Sequence, residues 1–410
     1  MSMAGDQAGS SSGGAPAGAR LLSFYLGGFL GPFGTLVPVP MLPDLRADFG
    51  VDSTAISWAI SAYLLPMAAL LLVSGTIGER FGRSRVLRIS LGVYLGASLL
   101  VTAAPTLAPF LAARALQGAA NAFFTPLLLA ELADITPEAN LGRRIGAYSS
   151  FQAVGGAAAP FVGGLAAEVD WRLAFVVTAA VTLVILVTSP GPRPTGRVAR
   201  PSARSLVDRR LAALSIASLA ATAGPIGAQV LLGLKLRDEL AVEPGPAGLI
   251  LAAGFVGPIL LGPAFGRLTD RYGPRRCGVA SIAGAGALAA ALGPVGSTPV
   301  VAGLWLLAGS VFALATVVLH RVAAVVVPTN RGGALSVVLS FRFLGFALGP
   351  LIWVPVLTET VTGAFIGAGL LAVPAVVGLL SSVSRDRPPA PGRSLSSPSG
   401  SPEASGATPG

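Results

Sequence analysis

Twelve long apolar runs divide this 410-residue chain, and short polar segments separate them. Most of the runs reach the ~20 apolar residues that an α-helix needs to cross a bilayer. They cover residues 21–43, 54–78, 86–105, 107–131, 144–167, 172–190, 211–234, 246–266, 276–294, 299–320, 332–356 and 362–383. The pattern predicts an all-α integral membrane protein with twelve transmembrane helices, numbered here as spans 1 to 12.

Segments without an apolar face flank and divide these spans. Residues 1–19 are rich in Gly, Ser and Ala, and residues 385–410 are rich in Pro, Ser and Gly, so both are predicted to be disordered tails. A Pro- and Arg-rich stretch at 191–210 is the predicted linker. It separates an N-terminal six-helix bundle, residues 20–190, from a C-terminal six-helix bundle, residues 211–384.

Composition supports burial in lipid and narrows the chemistry. Hydrophobic residues make up 53% of the chain and charged residues 11%, whereas soluble domains carry about 25% charged residues. A single cysteine, Cys277, and a single histidine, His320, argue against a disulfide and against zinc or haem, so no metal or other cofactor is expected. Lys235 is the single lysine among the 28 Lys and Arg residues, and this composition suggests a bacterial genome.

The basic residues fix a predicted orientation. If both termini are cytoplasmic, 22 basic residues fall in cytoplasmic segments, 4 fall outside and 2 lie within spans. This bias is the one that positive-inside insertion produces. The net charge of +10 therefore indicates anionic membrane lipids as partners rather than nucleic acid.

Two loops half a chain apart share a sequence pattern. Residues 75–85 read GTIGERFGRSR and residues 266–276 read GRLTDRYGPRR, at an offset of 191 positions. In register, two glycines, an acid, two arginines and an aromatic residue coincide. The repeat predicts two pseudo-symmetric halves that arose by duplication.

These loops resemble the signature of the major facilitator superfamily, Gly-x-Leu-Ala-Asp-Arg-x-Gly-Arg-Arg/Lys. The resemblance implies two six-helix bundles around a central cavity that opens alternately to each side. It also implies a cytoplasmic gate, for which a plain topology-anchoring role is the alternative. The predicted gate residues are Gly75, Glu79, Arg80, Gly82, Arg83, Glu131, Gly266, Asp270, Arg271, Gly273 and Arg276. Arg83 is expected to pair with Glu131, with Asp134 as the competing partner.

Two further segments resemble the twelve-helix drug:proton antiporter group of that family. In span 4, Arg114 and Gln117-Gly118 match the Arg-x-x-Gln-Gly segment of proton-coupled members. Span 5 has regularly spaced small residues that end in a pattern similar to Gly-Pro-x-x-Gly-Gly, with Ala in place of the first Gly. Span 11 has a similar pattern. The predicted helix-packing residues are Gly146, Gly155, Ala159, Pro160, Gly163, Gly164, Gly349 and Pro350.

Charged residues within spans mark the candidate chemistry, because a charge at bilayer depth costs ~2.5–3.5 kcal/mol. The resemblance of span 4 to proton-coupled members implies that Arg114 acts in proton coupling. Asp44 is the proton-site candidate by elimination, with a simple outer-loop acid as the alternative. Arg342 is predicted either to meet substrate or to form a structural tie. His320 is interpreted as a headgroup-level residue.

The predicted substrate cavity contains Arg342, Phe29, Phe33, Asn121 and Gln152. The leading hypothesis is a proton-coupled antiporter that exports small amphipathic drugs or antibiotics across the cell membrane, as a monomer. The alternative is an organic-anion importer or exchanger of the same fold. An enzyme is not expected, because no nucleophile–base pair, phosphate-cradling loop or metal cluster is recognisable.

Overall fold

A computed structural model describes residues 17–189 and 206–383, and the regular structure in those ranges is helical. The predicted linker and the two predicted tails lie wholly or mostly outside the described residues. The helices are α1 (Ala17–Leu36), α2 (Leu42–Phe49), α3 (Ser53–Phe81), α4 (Arg83–Thr102), α5 (Leu107–Asn121), α6 (Phe124–Asp134), α7 (Glu138–Ala167), α8 (Arg172–Thr188), α9 (Arg209–Ala223), α10 (Gln229–Leu234), α11 (Pro244–Ala253), α12 (Val256–Tyr272), α13 (Pro274–Leu292), α14 (Thr298–Val326), α15 (Arg331–Glu359), α16 (Val361–Leu370) and α17 (Ala372–Ser382).

The seventeen helices of the described ranges form twelve rods, in the order of the predicted spans. Spans 1, 4, 7, 8 and 12 are each interrupted, by a short 3₁₀ turn, a π turn or a break of one or two residues. In span 7 the break falls at Gly224-Pro225, where proline removes a backbone donor. Within the described part of the chain, eight stretches are long and apolar enough to cross a membrane.

Local chemistry explains where several rods begin and end. The Asp52 carboxylate accepts from the Ala55 amide at 2.6 Å and caps the start of α3. Gly82, at the end of α3, has a φ of +92°, and Gly273, at the end of α12, has a φ of +80°. These two glycines are equivalent in the duplicated loops. Each occupies the positive-φ region that side chains disfavour, which explains its presence there.

The duplication is visible in how each half packs. A methyl group on Gly155 of α7 would overlap the Phe29 carbonyl of α1, and one on Gly345 of α15 would overlap the Leu219 carbonyl of α9. Both residues of the second pair lie 190 positions after those of the first. Glycine therefore permits the same close helix approach in the N-half, residues 17–189, and in the C-half, residues 206–383.

Two seams join the N-half to the C-half. In one, the Ser61 hydroxyl of α3 donates to the Ala347 carbonyl of α15 at 2.6 Å, and the Ser340 hydroxyl donates to the Ala68 carbonyl. In the other, α7 packs on α11, and the Pro160 carbonyl lies where a side chain of Gly248 would begin.

The long helices define two ends of the molecule. The duplicated loops follow the C-terminal ends of α3 and α12, and this side is called the motif end. The connections before α3 and before α11 lie at the other side, called the opposite end. Since α3 has 29 residues, the ends are about 43 Å apart along that helix.

Candidate functional site

The duplicated loops make ion pairs inside their own halves. Arg83 lies 2.7 Å from Asp134, and Arg321 lies 2.5 Å from Asp270. Arg83 therefore pairs with the competing partner and not with Glu131, which is a buried side chain of α6. Both ion pairs connect a loop to the rod of span 4 or to its equivalent, span 10, so the duplication extends to these contacts.

Among the described residues, Arg80, Arg271 and Arg276 of the predicted gate have no hydrogen bond or ion pair to the other half in this conformation. Gly75 and Gly266 have open space where a side chain would begin, so no close approach requires glycine there. Arg80 and Arg271 each lie over the aromatic ring that follows them, and Arg276 is exposed. A role of these residues in closing the motif end stays a prediction.

Arg114 is fully buried and holds three elements of the N-half together. Its Nε donates to the Ala59 carbonyl at 3.1 Å, and its Nη1 donates to the Gly34 carbonyl at 3.0 Å and to Gln117 Oε1 at 2.8 Å. The guanidinium lies 4.3 Å from the centroid of the Tyr63 ring. Among the described residues no carboxylate lies within 4 Å of it. Neutral acceptors and a π-face therefore stabilise this charge.

The predicted cavity residues separate into two groups. Asn121 and Phe33 are at most 2% exposed inside the N-half, where Asn121 Nδ2 lies 3.5 Å from Met67 Sδ. Phe29 stacks on Phe33 with a centroid distance of 5.0 Å and is partly exposed, as is Gln152. Only the second group has surface that a substrate can reach in this conformation.

Arg342 contacts the one histidine of the chain. Arg342 Nη1 lies 3.4 Å from His320 Nε2, and the guanidinium carbon lies 5.7 Å from the centroid of the Phe346 ring. Both Arg342 and His320 are partly exposed, and no described carboxylate lies within 4 Å of the guanidinium. Sequence reasoning missed this pair, because α14 and α15 bring together residues that are 22 positions apart. The result is a cationic and aromatic surface in the C-half.

Ion pairs close the opposite end across the two halves. Arg237 Nη2 lies 2.8 Å from Asp44 Oδ1, and Arg46 makes two bonds of 2.9 Å to the two carboxylate oxygens of Asp238. The Glu168 carboxylate adds a third polar link, because it accepts from the amide of Gly245 at 3.0 Å. Asp44 therefore has a counter-ion, and that counter-ion belongs to the other half.

The sequence separation of these ion-paired residues is a signal that could have predicted the pairs. The partners are 193 and 192 positions apart, close to the repeat offset of 191. Equivalent segments of two pseudo-symmetric halves meet wherever they lie near the symmetry axis. A charged residue in such a segment therefore contacts its near-equivalent in the other half.

The predicted helix-packing residues lie mainly at helix contacts. Gly155 approaches α1, and Gly163 approaches the Val37 carbonyl in the turn that follows α1. Pro160 and Gly164 approach α11 of the C-half. Gly146 has open space around it. In the C-half, Gly349 contacts Ala223, and the buried residue Pro350 lies within α15. Ala159 is buried within α7 of the N-half.

Comparisons with known proteins agree on one family. A family model described as Major Facilitator Superfamily matches residues 24–232 and 211–407. Puromycin resistance protein pur8 of Streptomyces alboniger is 36% identical over 172 residues, which are 41% of this chain and 34% of that protein. Cephamycin export protein CmcT of Amycolatopsis lactamdurans is 34% identical over 178 residues, 42% of this chain and 37% of that protein. These matches span little more than a third of each relative's length.

Solved structures share the fold. The nucleoside transporter NupG, as a D323A mutant, superposes with a TM-score of 0.72 at 14% identity, over 89% of this chain and all of that one. The human organic anion transporter MFSD10 superposes with a TM-score of 0.65 at 17% identity, over 89% of this chain and 99% of that one.

Proposed function

Because the chain belongs to the Major Facilitator Superfamily, we propose that it exports small amphipathic compounds such as antibiotics across the cell membrane, in exchange for protons. Relatives named for puromycin resistance and cephamycin export support the direction and the class of cargo. Multidrug efflux pump LfrA of Mycolicibacterium smegmatis, 33% identical over 162 residues (39% of this chain and 32% of that protein), supports them as well.

The observation that carries the proposal is the asymmetric closure of the molecule. At the opposite end, two ion pairs and a third polar link join the halves, whereas the ion pairs of the motif loops stay within one half. Basic residues are concentrated at the motif end, which by positive-inside insertion faces the cytoplasm. We therefore interpret this conformation as closed to the outside. Transport then requires these cross-half pairs to break.

The ion pair between Asp44 and Arg237 supports a gating role for Asp44 rather than a role as proton carrier. A proton on Asp44 removes the charge that holds Arg237 and favours opening of the outer end. An exporter that exchanges cargo for protons needs the reverse, because the proton-loaded, cargo-free protein must close this end. Glu131 is an acidic residue that the N-half buries, at 7% exposure, so it is the carboxylate to test for proton carriage.

Purified protein in proteoliposomes tests the proposal. With an imposed pH gradient, addition of puromycin or a cationic dye is expected to trigger a proton flux opposite to the movement of the cargo. We expect Glu131→Gln to abolish that flux, while Asp134→Asn, a neighbouring carboxylate variant on the same helix, retains proton coupling. Cargo transport that is independent of pH in the wild-type protein contradicts the proposal.

Arg342 and His320 support organic-anion exchange as a second candidate function. They present donors and an aromatic neighbour without a described carboxylate within 4 Å of the guanidinium. Such a surface suits a carboxylate or phosphate group on a cargo molecule. In the same liposomes, uptake that a counter-anion accelerates, without any proton flux, would favour this function over proton-driven export.

A further inference from the structure

A groove outside the region between the halves runs down the C-half from the motif end. Its upper part is a cavity of about 1020 Å³ that includes Arg271, Arg275, Arg276 and Leu380. Its lower part is a cavity of about 440 Å³, and both parts share Val279 of α13. The two cavities therefore adjoin at Val279, and residues of α13 and α17 line both of them.

The upper part of the groove carries positive charge that is not neutralised. Asp270, the acidic residue of this cavity, is paired with Arg321. Within the described ranges, Arg271, Arg275 and Arg276 have no carboxylate within 4 Å. Arg271 also lies over the Tyr272 ring, a contact that does not neutralise its charge. Three guanidinium groups without a described carboxylate partner, around one cavity, match an anionic group that has several oxygen acceptors, such as a phosphodiester.

The lower part of the groove is lined by apolar residues only, including Ala287, Gly369 and Val373. From Val279 to Ala290, α13 extends about 16 Å. One leaflet contributes about half of the ~30 Å hydrocarbon core of a bilayer, so the trough has the depth of one leaflet. An acyl chain lying along α13 fits this length, whereas a free anion makes no use of the trough.

From the cationic upper cavity and its adjoining apolar trough, we propose that this groove is a binding site for one anionic phospholipid. The arginines bind its headgroup phosphate, and the small residues of α13 and α16 admit one acyl chain. By charge distribution the site lies in the cytoplasmic leaflet, where basic pockets between helices recognise anionic lipids. The inference does not depend on the cargo or on proton coupling.

The N-half provides a matched control, because Arg271 and Arg276 correspond in register to Arg80 and Arg85. The test compares Arg271→Gln/Arg276→Gln with Arg80→Gln/Arg85→Gln in the full chain. Binding of dioleoyl phosphatidylglycerol and dioleoyl phosphatidylcholine is measured by native mass spectrometry of the detergent-purified protein. At about fivefold per arginine, the first variant is expected to lose about 25-fold in phosphatidylglycerol affinity. The control is expected to change less than threefold.

A second comparison tests the trough with the arginines intact. Ala287→Leu narrows the groove, and Ala112→Leu adds the same volume at an exposed position of α5. We expect only Ala287→Leu to weaken phosphatidylglycerol binding, by at least threefold.

Three results overturn the proposal: equal loss in both arginine pairs, equal binding of the two lipids by the wild-type protein, or full competition by millimolar inorganic phosphate. The last of these identifies a phosphate-ion site instead of a lipid site.

Discussion

Neutralising Asp44 is expected to favour opening of the opposite end of the molecule. Asp44→Asn leaves Arg237 facing an uncharged amide across the boundary between the halves. The second pair, Arg46 with Asp238, and the seam hydrogen bonds of α3 with α15 stay in place. The variant is therefore expected to fold and to shift the equilibrium between closed and open conformations, without abolishing either.

The size of this shift follows from the exposure of the two pairs. The side chains of Arg46 and Asp238 are 31% and 37% exposed, so water screens their pair, which is worth ~0.2–1 kcal/mol. The side chains of Arg237 and Asp44 are 15% and 27% exposed, and their hydrogen bond is worth more, about 1–2 kcal/mol after screening. Loss of the Arg237–Asp44 pair multiplies the open-to-closed ratio by roughly 5 to 30.

Spin labels measure that ratio directly. Cysteines at Val169 in the N-half and Glu359 in the C-half place two labels at the opposite end, with Cys277 replaced by Ser. Pulsed dipolar distance distributions are expected to gain a longer component in Asp44→Asn. Asp170→Asn removes the same charge at the same end, within one half, and serves as the control.

Exchanging the two charged residues distinguishes the effect of the ion pair from the effect of either residue alone. Asp44→Arg combined with Arg237→Asp is expected to restore most of the closed population. If Asp44→Asn leaves the distances unchanged, or if Asp170→Asn changes them equally, the cross-half pair does not control this gate.

Three further predictions concern packing, the buried arginine and the cationic surface. Gly118→Ala places a methyl group on the Tyr63 carbonyl, so we expect it to destabilise the protein by ~1–3 kcal/mol. Gly92→Ala adds a methyl group in open space on α4, so we expect it to stabilise the protein by up to ~1 kcal/mol. Thermal unfolding in detergent compares the two variants. Arg114→Lys keeps the charge but loses the three-acceptor geometry, so we expect about a tenfold loss of cargo-driven proton flux with the protein still in the membrane. Arg342→Ala is expected to weaken binding of carboxylate-bearing cargo about 10- to 100-fold, with cationic dyes unchanged in a competition assay.

The architecture could be predicted from the sequence because a bilayer restricts the composition of the helices that cross it. A helix must be apolar over ~20 residues to satisfy its backbone in lipid, so each rod is visible as an apolar run. The duplicated loops gave the two halves, and Gly82 and Gly273 confirm that the repeat marks equivalent backbone positions. The breaks inside five rods were not predicted, since these interruptions are one to five residues long and leave the apolar pattern almost unchanged.

The partners of charged residues were harder to predict, because they depend on the rotation and contact of distant helices. Arg114 was selected correctly as a buried charge, but its neutral acceptors belong to α1, α3 and α5 and carry no pattern of their own. Arg83 had two acids at similar sequence distance, and only the geometry of α6 selects Asp134.

The contact that Asp44 makes changes the role that we propose for this residue. Without a partner, an acid near the end of span 1 is a candidate proton carrier. Paired with Arg237 of the other half, it stabilises the closed arrangement of the opposite end while it is ionised. Proton binding there favours the open state, which opposes the step that an exporter must drive. If the protein exchanges cargo for protons, the proton must therefore act through another group, and a pH-dependent opening in the spin-label assay that persists in Asp44→Asn would locate it elsewhere.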